Sequence, residues 1–203
     1  FLIVILMPVF SYGQQATVQE ELVSFKTYPF GDPDPVARMG RIYPYFRFDG
    51  FSVKAKEQKW KIISLENEYI RVLIAPEIGG KILGAFEKLT GRDFIYYNPV
   101  IKFRDVAMRG PWTSGGIEFN FGAIGHTPTT ATPVDYFTRK NRDGSVSCFV
   151  GALDLASRTR WQVEIRLGAD KAWFETISTW QNSSPYNTSF YHWMNGAALA
   201  RDD

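Results

Sequence analysis

The chain has 203 residues, 45% of them hydrophobic and 22% charged, the balance of an ordinary globular domain rather than of a disordered or collagen-like chain. Twenty-three basic residues face 21 acidic ones, a formal charge of +2; with no basic tract, binding to nucleic acid or to an anionic membrane by bulk charge has no support. A single cysteine, Cys148, excludes an intramolecular disulfide framework and a cysteine-built zinc site.

Aromatic residues are unusually frequent, with 16 Phe, 10 Tyr and 6 Trp, alongside 17 Gly and 11 Pro. That mixture suits strands joined by turns, with flat apolar faces available to a ligand. In chain order, Phe1 to Phe10 read as the apolar core of a secretory signal, and Ser11-Tyr12-Gly13 as its cleavage region. The run is about half of the roughly 20 apolar residues that a membrane span needs; its other reading is a buried N-terminal strand. Residues 1–13 are thus expected to be a partial signal peptide. The mature protein is then periplasmic or secreted, without membrane insertion after cleavage. The other end, Ala200-Arg201-Asp202-Asp203, reads as a cut within a domain.

Residues 14–58 are mixed in character. Pro29, Pro33, Pro35 and Pro44 exclude a long helix, and the segment reads as an extended N-terminal arm with aromatic anchors. The pattern changes at Trp60, and residues 59–203 read as one β-domain. Tyr69 to Ala75 alternates until Pro76 and Gly79-Gly80 interrupt it. Lys81 to Phe86 resumes, Thr90-Gly91-Arg92 turns, and Phe94 to Tyr97 is a short strand. Pro133 to Arg139 and Val146 to Ala152 flank Asn141-Arg-Asp-Gly144, a hairpin turn. Trp161, Val163, Ile165 and Leu167 alternate with polar residues, as in a half-buried strand. Gly168-Ala-Asp170 and Asn182-Ser-Ser-Pro185 turn the chain into Trp173 to Trp180 and Ser189 to Leu199. No stretch keeps a helical period, so the fold class is all-β, an antiparallel sandwich or barrel.

The densest polar segment runs from Arg109 to His126. If Ile117 to Phe121 is a strand, Glu118 and Asn120 share one face, and Ile117, Phe119 and Phe121 share the other. Glycines there allow close backbone approach to a ligand, and Trp112 offers a plane for a sugar ring. The segment reads as a ligand site lined by Arg109, Trp112, Glu118, Asn120 and His126, or as a Gly-rich corner with an Arg109–Glu118 ion pair. His192, among aromatics in Phe190-Tyr-His-Trp-Met-Asn195-Gly, reads as a core residue or as a catalyst. Metal ligation would need His126 and His192 to converge, and no metal is expected. No GxSxG, P-loop or dinucleotide fingerprint is present, and no cofactor is expected.

Several segments together resemble a bacterial family of unknown function in the galactose-mutarotase-like superfamily, often found ahead of tetratricopeptide repeats. They are Tyr43-Pro-Tyr45, Leu65-Glu-Asn-Glu-Tyr69, Ala75-Pro-Glu-Ile-Gly79-Gly80-Lys81-Ile82, Arg109-Gly-Pro-Trp112, Gly115-Gly-Ile-Glu118-Phe-Asn120-Phe and Pro133-Val-Asp135-Tyr136. The resemblance runs from about Glu20 to Asp203. It implies an antiparallel β-supersandwich, incomplete here at its C-terminus, with a carbohydrate site on the concave face. The stretch His192-Trp-Met-Asn195-Gly-Ala is also similar to the strand that carries the catalytic-acid His of mutarotases, although they place two more residues between His and Asn. That likeness implies an acid at His192 and a second histidine at His126; the mutarotase base, a Glu late in the domain, would lie beyond Asp203.

Two functions are therefore expected. One is an exported carbohydrate-recognising domain of a larger envelope protein. The other is a carbohydrate-active enzyme, of glycoside hydrolase or aldose-epimerase type, using Glu118 and His192 as acid and base. A hydrolase would need a second carboxylate, for which Glu77 and Asp135 are the candidates in this chain.

Overall fold

The computed structural model describes residues 15–31, 50–105, 111–122, 126–155 and 157–198. In chain order the strands are β1 (Thr17–Tyr28), β2 (Lys56–Glu66), β3 (Ile70–Ala75), β4 (Lys81–Glu87), β5 (Arg92–Ile95), β6 (Val100–Lys102) and β7 (Arg104–Asp105). They continue with β8 (Pro111–Trp112), β9 (Ile117–Gly122), β10 (Asp135–Lys140), β11 (Val146–Asp154), β12 (Thr159–Leu167), β13 (Phe174–Asn182) and β14 (Tyr191–Gly196). The helical element among the described residues is one 3-10 turn, Pro128–Thr130. The chain is all-β, as its alternation implies.

The second half folds by local rules. Asn141 N–H donates to the Ser145 carbonyl at 2.8 Å, and Gly144, at φ 80, supplies the left-handed residue of the turn. That hairpin fixes β10 against β11 from Asp135↔Gly151 to Lys140↔Val146. On β12, Trp161, Val163, Ile165 and Leu167 are all buried, and Gln162, Glu164 and Arg166 on the other face are half-buried. Strands β10, β11, β12 and β13 make a four-stranded antiparallel sheet in sequence order.

A larger eight-stranded sheet runs in the order β14, β9, β4, β3, β2, β1, β6, with β5 beside β4. The two sheets enclose one apolar core. The larger sheet contributes Ile63, Leu65, Val72, Ile74, Phe119 and Phe121, and the smaller contributes Val146, Val150, Trp161, Val163 and Ile165. Phe121 stacks on Trp161 with ring centroids 4.6 Å apart and planes at 4°. A second apolar cluster, including Phe25, Ile62, Leu73, Ile78, Leu83 and Phe103, holds residues from the alternate positions of β2, β3 and β4. The larger sheet is therefore covered by apolar packing on both faces over its middle strands.

Two features depart from the local reading. Thr17–Tyr28, in the segment expected as an arm, is a twelve-residue strand of the large sheet. It pairs with β2 from Thr17↔Glu66 to Thr27↔Lys56. Its side chains are mostly exposed, with Phe25 and Thr27 buried, so the backbone ladder and not an apolar face defines it. The sheet also contains a parallel pair, Lys26↔Val100 to Tyr28↔Lys102. The segment read as a signal, residues 1–13, lies outside the described residues.

Candidate functional site

Strand β9 sits between β4 and β14, and pairing across these three strands builds the site. Ile82 of β4 pairs with Ile117, and Asn195 and Trp193 of β14 pair with Glu118 and Asn120. Because side chains alternate along each strand and paired residues share a face, Lys81, Glu118 and Asn195 form one row across the sheet. Asn120 and Trp193 form the next. All of them lie on the face opposite Phe119 and Phe121, as expected for Glu118 and Asn120.

The row is buried although it is polar: Lys81 is 2% exposed, Glu118 3% and Asn120 0%. Oε1 of Glu118 accepts from Nδ2 of Asn120 at 3.0 Å and from Nδ2 of Asn195 at 2.8 Å. Nε1 of Trp193 donates to Oδ1 of Asn195 at 2.6 Å, so the indole orients the amide that orients the carboxylate. His126 approaches from the loop after β9. Its Nδ1 lies 3.1 Å from Oε1 of Glu118, within ion-pair distance, but makes no hydrogen bond, because the ring direction misses the oxygen. The same ring meets Trp193 edge-on at 4.6 Å.

Lys81 closes the other end of the row. Its Nζ donates to the carbonyl and the hydroxyl of Thr113 and lies 5.9 Å from the centroid of the Trp112 ring. Burial pushes its amine down to about 8, against the pull of the Glu118 charge, which favours the ammonium. The arrangement places a carboxylate, an amine, two amides and an imidazole together, bordered by two indole rings.

The pairing separates the expected site residues. Trp112, Glu118, Asn120 and His126 gather on this face. His192 does not: it pairs with Phe121 and stacks on that ring at 4.3 Å, on the side that faces the smaller sheet. Its Nε2 lies 3.5 Å from the hydroxyl of Ser178. The expectation that Glu118 and His192 share a pocket is thereby corrected, and so is the reading of His192 as core, since it is exposed. The physical reason is parity, because odd and even positions of β14 point to opposite faces. Arg109, the remaining expected ligand contact, lies outside the described residues. Neither carboxylate proposed as a partner joins the row. Oε2 of Glu77 accepts from the Lys61 backbone N–H at 2.7 Å, and Asp135 is exposed on β10, 4.0 Å from Arg160. His126 and His192 do not converge.

Sequence reasoning missed Lys81, Trp193 and Asn195 as site residues. A lysine opening a strand that is otherwise apolar is a usable signal, because a buried ammonium needs a reason.

Lys81 gives a prediction for stability against pH. Folded Lys81 releases its proton above about 8, whereas the unfolded chain holds it to 10.5. Between those values the unfolded state binds more protons, so stability rises with pH, by up to about 1.4 kcal/mol per unit. Cys148 acts the other way: burial pushes its thiol from 9.0 up to about 12, so the folded state keeps a proton that the unfolded state loses above 9.0. Urea midpoints are expected to climb from about pH 8 to 9 and then level as the two contributions oppose each other. Lys81→Met should abolish the climb and leave a decline above pH 9. A climb that survives Lys81→Met would assign it to another group.

Residues 37–203 match the family described as Domain of unknown function (DUF5107), and the chain belongs to that family. In fold it is similar to a TPR-domain containing protein from Parabacteroides distasonis ATCC 8503, with a TM-score of 0.74 and 24% identity. The match covers 83% of this chain and 29% of that one, so the present chain spans less than a third of the length of its structural relative. A domain of unknown function with a TPR-containing relative is what the sequence motifs pointed to.

Proposed function

We propose that this DUF5107 domain is an exported carbohydrate-recognising domain of a larger envelope protein, with the sugar seated on the face that carries Lys81, Glu118, Asn120 and Asn195. The observation that carries the reading is a buried polar floor bordered by aromatic rings. A sugar presents hydroxyls that both donate and accept, and C–H faces that pack on indoles. Trp112 and Trp193 supply such planes, and Asn120, with an unpartnered buried oxygen, supplies a polar group awaiting one.

The test is a glycan array on the full-length protein, followed by calorimetry of the best sugar with Trp112→Ala. Trp112 sits on the two-residue β8 and is half-buried, so truncation takes little from the apolar core. Sugar affinity is expected to fall at least about tenfold, with the urea midpoint nearly unchanged. Unchanged affinity would remove Trp112 from the site.

A second reading, a carbohydrate-active enzyme of glycoside hydrolase or aldose-epimerase type, is favoured by Lys81. It puts a second titratable group in the row with Glu118, and its amine is poised near working pH, as proton transfer requires. In this reading Lys81, not His192, partners Glu118.

A further inference from the structure

Asn120 is wholly buried, and the orientation of its amide is fixed by the network. Nδ2 donates to Oε1 of Glu118 at 3.0 Å; the flipped amide would set oxygen against oxygen. Oδ1 is therefore identified as the acceptor, and it has no hydrogen-bond partner. Folded proteins rarely leave a buried acceptor in this state unless a group from outside the chain completes it.

The neighbours narrow what that group is. The missing partner is a donor, because Oδ1 can only accept. Among the nearby donors, Nε1 of Trp193 is directed to Asn195, Nδ2 of Asn195 to Glu118 and Nζ of Lys81 to Thr113, and Nδ1 of His126 lies against Oε1 of Glu118 and makes no bond to Oδ1 of Asn120. A carboxylate, sulfate or phosphate oxygen without a proton accepts only, and would also meet the Glu118 carboxylate in the adjoining row. An ammonium would be drawn to Glu118, but it would also meet the like charge of Lys81 in the same row. A neutral hydroxyl satisfies the acceptor and meets neither objection.

Resting on the reading of this face as a sugar site, we infer that Oδ1 of Asn120 takes a hydrogen bond from one particular neutral hydroxyl of the ligand, so that the site requires an uncharged polyol with a donor at that position. The indoles then set the ring plane, and Asn120 sets which hydroxyl points inward. Specificity of this kind is strong, because an analogue lacking the donor returns a buried polar atom to its unsatisfied state.

The experiment uses full-length protein and calorimetry. The probes are the methyl glycosides of D-glucose, D-galactose and D-mannose, their uronates, and the monodeoxyfluoro series of the tightest neutral glycoside. Fluorine removes the donor at one position with little change in size. A neutral glycoside is expected to bind at least about tenfold more tightly than its uronate. Fluorination at one position should cost about tenfold in the wild type and less than about twofold in Asn120→Leu. Asn120→Leu also takes the Nδ2 donor from the buried Glu118 carboxylate, so its urea midpoint is expected to fall; the deciding readout is the lost sensitivity to fluorination, which a purely structural Asn120 would leave in place. If that variant does not fold, the fluorinated series on the wild type decides alone. Preference for the uronates, or a fluorinated series with no sensitive position, overturns the inference while the sugar reading stands. No binding by any glycoside or uronate overturns the sugar reading and this inference with it.

Discussion

Gly116→Ala is expected to destabilise the domain by about 4 kcal/mol or more, near the upper end for single substitutions. Gly116 has φ 68, a left-handed conformation that costs a residue with a Cβ about 1–2 kcal/mol. The larger contribution is contact. A Cβ at this position would stand 1.9 Å from the Ile82 carbonyl oxygen, and backbone cannot move aside as a flexible side chain can. Gly116 also anchors the corner where the strands of the site meet. Its N–H donates to Tyr96 O at 2.8 Å, and its carbonyl accepts from Ala197 N–H at 2.9 Å. Displacing it moves the start of β9, one residue before Glu118, and the end of β14, one residue after Asn195. Gly91 is the control. It has φ 69 and open space around a Cβ, so Gly91→Ala carries only the conformational cost. Urea unfolding of the two variants should differ by more than about 2 kcal/mol. Equal losses would mean that backbone conformation alone, not the approach of Ile82, demands glycine at 116.

The Gly-Gly-Ile-Glu-Phe-Asn-Phe block shows how much was legible in the sequence and where legibility ended. Alternation alone put Glu118 and Asn120 on one face and Phe119 and Phe121 on the other, because parity within a strand is a local property. The hairpin at Asn141–Gly144 and the strand from Trp161 to Leu167 were legible for the same reason: turn chemistry and a two-residue period act over short distances. What was not legible depends on pairing between distant segments. His192 lies within three residues of Asn195 in sequence, yet only the register of β14 on β9 reveals that it faces the smaller sheet with Phe121. Lys81 lies 37 positions before Glu118 and joins its row only because Ile82 pairs with Ile117. Strand β1 has no one-sided apolar pattern, and its membership in the sheet rests on its ladder with β2.

Glu118→Gln is expected to leave the site assembled and to change its electrostatics. The donors from Asn120 and Asn195 both address Oε1, and a glutamine carbonyl oxygen in that place accepts both. The shape is kept and the charge is removed. The first consequence appears on Lys81. The Glu118 charge pulls the amine upward against burial, so its loss should lower the Lys81 pKa further below about 8. NMR titration of protein labelled with ¹³Cε-lysine reads this directly, because the Lys81 signal titrates apart from those of exposed lysines. The second consequence separates the two functions. In a carbohydrate-active enzyme that uses Glu118 as acid or base, full-length Glu118→Gln should lose about 10²–10⁴-fold in kcat with sugar affinity little changed. In a recognition domain the variant should alter affinity alone. Lys81→Met provides the cross-check, since an acid–base pair fails when either member is removed, and the two losses then do not add. Turnover of a glycan at the wild-type rate with Gln at 118 would falsify a catalytic role for Glu118. A shift of the Lys81 titration in that same protein would still show that the two groups share one field, which is what a recognition site holding a buried carboxylate beside a buried amine requires.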